Sequence, residues 1–294
     1  MRWFSERYGY RSVREILQIE DLAEDTRIRI WNLLHTRFFY SMRHNEYFSQ
    51  VNNDCLNLCY SLYDRYFKLP TQFFGDGHRD EPGSIYYYLN NYVNDSDWFN
   101  VYALIEAIIK FSKFREGVDG FIKDCNLLLE EELCGYRIIS GFITPITTPK
   151  EIEEIEEALL HPFDTVNKHL NTALELFSDR VTPNYPNSVK EAISAVECVC
   201  MIILANKTVT LGKALKKLED AGISIHGAFK RGLSNIYGWT SSDAGIRHAR
   251  VDDSEIGSDE AKFMIVLCSA FINFLITKAE KVGIDLMVNY KAIR

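Results

Sequence analysis

Residues 260–281, reading E-A-K-F-M-I-V-L-C-S-A-F-I-N-F-L-I-T-K-A-E-K, constrain the fold of this 294-residue chain more than any other stretch. As a helix they make about five to six turns and are strongly apolar, so the rod must close a domain core or a dimer. A hydrophobic content of 47%, with 13% of the chain aromatic, is ample to cover it.

The rest of the apolar pattern is also mostly helical. From Ala23, the residues Ile28, Trp31, Leu34, His35 and Phe38 recur at three- and four-residue steps as one buried stripe. A second stripe, Val51, Cys55, Leu58, Cys59, Leu62 and Tyr66, belongs to a helix over about 46–69, which Pro70 stops. Helices follow at about 84–94, 97–114 and 117–133. At Gly135 the period changes: two short apolar runs flank Ser140-Gly141, which predicts a β-hairpin over about 136–146. Pro149 and the acidic residues after it open the next helix, with Ile152, Ile155 and Leu159 on its apolar face. His161-Pro162 breaks it before another helix to about Ser178. Pro183 and Pro186 make 182–187 the predicted domain boundary. Beyond it, Ala192, Ala195, Val196, Val199 and Ile203 suit a closely packed helix, and shorter helices are expected at 211–220 and 226–237. The fold class expected is mainly α, in two helical domains, 1–182 with the hairpin and 183–294.

Several function classes are excluded by what the chain lacks. No G-x-x-x-x-G-K-[ST], G-x-G-x-x-G or G-x-S-x-G occurs, so the common nucleotide and hydrolase machinery is absent. The seven cysteines are odd in number, form no C-x-x-C pair and mostly lie in apolar helical stretches, which reads as buried thiols with no metal site. No uninterrupted apolar run approaches the ~18 residues that cross a bilayer, and the start lacks the apolar core of a signal peptide. A cytoplasmic protein without a membrane partner is expected. The net charge of -8 argues against DNA and against broad nucleic-acid affinity, but the charge is uneven. From Asn184 onward there are 14 basic against 12 acidic residues; before it, 19 against 29. The C-terminal part is the better place for a polyanion.

The stretch 237–253, Y-G-W-T-S-S-D-A-G-I-R-H-A-R-V-D-D, carries loop chemistry between two apolar helices. Its adjacent Arg247 and His248 are the candidate catalytic pair: a guanidinium binds phosphate bidentately, and an imidazole moves protons near neutral pH. Asp243, Asp253 and Glu197 are candidates to orient them. Lys213, Lys216, Lys217, Lys230 and Arg231 form a basic stripe suited to RNA, although such a stripe is commonly only a solvated face.

Several segments carry a family resemblance: F-S-E-R-Y-G-Y (4–10), I-W-N-L-L (30–34), G-Y-R (135–137), N-S-V-K-E-A-I-S-A-V-E (187–197), T-L-G-K-A-L-K-K-L (210–218), I-Y-G-W-T-S-S-D-A-G-I-R-H-A (236–249) and C-S-A-F-I-N-F-L-I (268–276). Together they resemble the bacterial AbiJ-type abortive-infection proteins, in which an AbiJ N-terminal domain precedes a HEPN-like helical domain. The resemblance implies anti-phage defence by a homodimer, with a C-terminal domain related to RNA-cleaving enzymes that need neither metal nor cofactor. Those enzymes pair an Arg with a later His across four to six intervening residues. Here Arg247 and His248 are adjacent, and the pairs that fit the spacing, Arg29…His35 and Arg37…His44, lie in the other domain on helices whose apolar faces account for them. Two readings therefore stand: a HEPN-like domain that binds and cleaves RNA, or a non-catalytic dimerisation or ligand-sensing module.

Overall fold

The computed structural model describes residues 4, 8, 10, 16–43, 51–70, 82–113, 115–179, 182–241 and 256–294. It is mainly α-helical with one two-stranded antiparallel sheet, as the periodicity predicts. Packing divides the chain into two compact units, residues 1–145 and 146–294.

In the first unit, α1 (Glu24–Leu34) continues through a π-helical turn (His35–Phe39) into the short α2 (Tyr40–Arg43). That turn corrects the predicted stripe. Ile30, Trp31, Leu34, Phe39 and Met42 are buried, whereas Ile28 is 46% exposed. The step of five from Leu34 to Phe39 is the one a π turn accommodates, so the core face does not follow a constant 3.6-residue period. Next, α3 (Asn53–Ser61) runs into a second π turn (Leu62–Tyr66). Asn52 caps α3 by accepting from the Asp54 and Cys55 N–H groups. Of the predicted second stripe, Val51, Cys55, Leu58, Cys59 and Leu62 are buried and Tyr66 is half-buried. The expected start of this helix near 46 lies outside the described residues. Then come α4 (Pro82–Asp95), α5 (Trp98–Phe111) and α6 (Arg115–Glu131).

The hairpin pairs β1 (Arg137–Ile139) with β2 (Phe142–Thr144), Arg137 opposite Thr144. Ser140 and Gly141 both have positive φ, 52° and 85°, the turn geometry whose twist matches the strands. Just before it, the chain is tied to the N-terminal lead-in. Gly135 donates to the Gln18 carbonyl at 2.7 Å and Gln18 donates to that of Leu133 at 2.8 Å. A Cβ at Gly135 would sit 3.0 Å from the Gln18 oxygen, so a side chain there would have to push the Gln18 backbone aside. The buried Gln18 side chain completes the tie, accepting from Ala23 N and donating to the Glu132 carbonyl. Arg137 is buried as well, its guanidinium donating to the Cys134 and Tyr136 carbonyls. The G-Y-R segment is thus a clamp.

The second unit contains α7 (Pro149–Leu160), α8 (Asp164–Ser178), α9 (Tyr185–Ile203), α10 (Leu211–Lys217), α11 (Gly227–Ser241), α12 (Ser258–Lys281) and α13 (Leu286–Ile293). Its centre is α9, on which α8 and α12 pack most extensively, with α10 and α13 beside them. The 182–187 stretch falls inside this unit. Asn184 accepts from Asn187 N at the start of α9, and Pro186 occupies the first turn, where its missing N–H costs nothing. Helices α7 and α8, grouped with the N-terminal domain by the proline boundary, therefore pack with the C-terminal helices. The Ile152–Ile155–Ala158 face of α7 and the Val166–Leu170–Ala173–Phe177 face of α8 are buried here. Helix α12 is long and apolar enough by length and composition to cross a membrane, yet Met264, Ile265, Cys268, Ile272, Leu275 and Ile276 are buried within the unit. It is the core rod that the sequence requires.

Candidate functional site

Arg247, His248, Asp243 and Asp253 lie outside the described residues, so the geometry concerns what surrounds them. Tyr237 to Ser241 are not loop: α11 carries them as its last turns, so the helical support of the 237–253 stretch is longer than expected.

Glu197 sits on α9, and its Oε1 accepts from Leu211 N at 3.0 Å and from the Tyr237 hydroxyl at 3.3 Å. The first contact caps α10, whose own Thr210 makes no side-chain cap. Glu197 thus ties α9, α10 and α11 together. Beside this knot, Ile193, Val196, Leu233, Met264, Cys268 and Phe271 line a narrow apolar cavity of about 30 Å³. Burial pushes the Cys268 thiol up to about 12, and does the same to Cys125 and Cys200, so these thiols stay protonated and inert.

The basic residues are outside this core. Lys213, Lys216 and Lys217 are exposed on α10, and Arg231 is exposed on α11. Lys230 differs: it pairs with Glu219 at 3.1 Å and is mostly buried. This bridge joins the segment just after α10 to the first turn of α11. Among the described residues, no carboxylate pairs with Lys213, Lys216, Lys217 or Arg231.

Helix α11 adds a feature that the sequence reading missed. Of its described side chains only Leu233 is fully buried. Arg231, Asn235 and Trp239 follow at four-residue steps, all exposed, forming a ridge with a guanidinium, an amide and an indole at spacings of about 6 Å. The i, i+4, i+8 spacing was the signal that could have found it.

The two Arg–His pairs of the first unit have structural partners. Arg29 bridges Glu131 and Glu132, each at 2.5 Å, and Arg37 bridges Asp124. Both line an open cleft of about 490 Å³ with Asn32 and Thr36. His35 instead contacts the Trp31 and Tyr86 rings, with centroids 6.5 and 5.5 Å away. Arg29 and His35 are therefore engaged separately, while His44 lies outside the described residues. No group of three or more His, Cys, Asp or Glu suited to a metal occurs among the described residues.

These features define a mainly helical protein of two compact units, the second a helical bundle with exposed cations on α10 and α11. The profile of the family described as AbiJ N-terminal domain 4 matches residues 2–161, more than half of the chain, and the protein belongs to that family. Membership carries the coarse functional statement, a role in abortive-infection defence. No curated protein and no solved structure matches the chain.

Proposed function

We propose that the protein is a cytoplasmic abortive-infection effector whose C-terminal HEPN-like bundle binds RNA and cleaves it without metal. The observation that carries this reading is the set of exposed cations Lys213, Lys216 and Lys217 on α10 and Arg231 on α11, which pair with no carboxylate among the described residues, Arg231 also beginning the Arg231–Asn235–Trp239 ridge. Phosphate attraction from the cations and base stacking on the indole are the two contributions that single-stranded RNA binding needs. Helix α11 leads directly into the stretch holding Arg247 and His248. There Arg247 would hold the scissile phosphate and His248 would move the proton, with Asp243 and Asp253 orienting them. A homodimer is supported by exposed Phe229 and Phe263 on α11 and α12.

One observation favours the non-catalytic reading: Glu197, named as a support for the pair, is engaged as a cap and a helix tie. Fluorescence anisotropy with a single-stranded RNA separates the readings. For the effector, Lys213/Lys216/Lys217→Glu weakens binding and makes the log–log salt dependence shallower by about two. His248→Ala abolishes cleavage with most binding kept. A wild-type protein that neither binds nor cuts RNA at low salt, and melts lower when Arg247 and His248 are replaced, establishes the structural reading.

A further inference from the structure

Three sulfur-bearing side chains come together in the core of the first unit. The Cys59 thiol lies 3.2 Å from Met42 Sδ. Cys55, one helical turn before Cys59 on α3, shares a hydrogen bond with it and another with Ser41. Met42 and Cys59 have no exposed surface, and Cys55 retains 6%.

We propose that Met42, Cys55 and Cys59 form a binding site for a soft monovalent ion of the copper(I) type, held by two cysteine sulfurs and one thioether. Thiolate and thioether donors select such an ion, whereas zinc would seek a fourth ligand and magnesium would seek oxygens and water, which these three sulfurs do not supply. The required adjustment is small. With metal–sulfur bonds of about 2.3 Å, a trigonal set has edges of roughly 4 Å, so the Met42–Cys59 contact opens by less than about 1 Å. The unbranched methionine side chain provides that movement.

Charge also favours the site. Binding exchanges the proton of one cysteine thiol for the ion. One thiolate with one monovalent cation leaves a neutral site, the charge state least costly to bury. A Cys55–Cys59 disulfide is the competing use of the pair, since residues four apart on a helix rise about 6 Å along its axis, within disulfide reach.

The test is anaerobic titration of the reduced full chain with copper(I) against a colorimetric chelator, followed by thiolate-to-copper absorption and proton release. One ion per chain should bind, releasing at least one proton. Cys55→Ser and Cys59→Ser should each weaken it by about 100-fold, and the volume-conserving Met42→Leu by about tenfold. Cys125→Ser, a core thiol outside the cluster, should bind as the wild type does. Circular dichroism checks each variant; if a Ser variant unfolds, Met42→Leu carries the test. Complete loss of the ion to the chelator overturns the site, as does full binding by folded Met42→Leu or by the double Cys variant. Quantitative Cys55–Cys59 disulfide formation, with no ion uptake after reduction, overturns it too.

Discussion

Glu197 and Glu106 are half-buried carboxylates in different units, and each accepts a backbone N–H. Glu197 caps α10 and holds the Tyr237 hydroxyl. Removing it in Glu197→Ala leaves Leu211 N without its acceptor and should destabilise the protein by about 1–2 kcal/mol, while Glu197→Gln keeps an acceptor oxygen and costs much less. Thermal melts compare the two, and an Ala variant as stable as wild type contradicts the capping role. Glu106 accepts from Ile143 N at 2.7 Å, yet burial, the larger influence, raises its carboxyl above the usual range. A raised folded-state pKa means that the native protein binds the proton more tightly than the unfolded chain. This contribution to stability is present below the unfolded pKa and lost as pH rises through the folded one. Glu106→Gln should therefore flatten the stability–pH profile on the acid side of neutrality, measured by urea melts across that range.

Among the elements, the hairpin turn is the most sharply testable. Gly141 has φ of 85°, and a Cβ there would meet Ile109 Cγ2 at 3.4 Å. Gly141→Ala should cost about 1–2 kcal/mol through its backbone conformation. Ser140 also has positive φ, so Ser140→Asn, better suited to that conformation, should stabilise by a few tenths of a kcal/mol. Denaturant melts that rank Asn above wild type above Ala support the turn as described; an Ala variant equal to wild type does not.

At the scale of the molecule, 146–294 packs as one compact unit, so the piece expected to fold by itself is 146–294 rather than 183–294. Helix α9 packs along α8, and α12 packs along α7. A fragment beginning at residue 183 would lose the α8 surface that covers α9, including the Ala173 carbonyl to which the buried Ser188 hydroxyl donates, and the α7 surface that covers α12. Fragment 146–294 should melt cooperatively and give dispersed amide spectra, whereas fragment 183–294 should aggregate or remain molten. A well-folded 183–294 fragment would return the boundary to the proline stretch.

Local periodicity and turn chemistry determined which elements form. The helices, the Ser140-Gly141 hairpin, the Pro149 helix start and the demand that 260–281 be covered are consequences of side-chain spacing and of proline and glycine conformation, which act over a few residues. Only the tertiary structure decided which faces meet. Ile30 rather than Ile28 is buried, the π turn after Leu34 carries the buried face on to Phe39, and Gly135 is crowded because Gln18, more than a hundred residues earlier, brings its carbonyl against it. Glu197 is an acidic residue on an expected helix, which made it a candidate to orient Arg247 and His248. The partners it has among the described residues, Leu211 N and the Tyr237 hydroxyl, are brought to it by the packing of three helices, which no local pattern encodes.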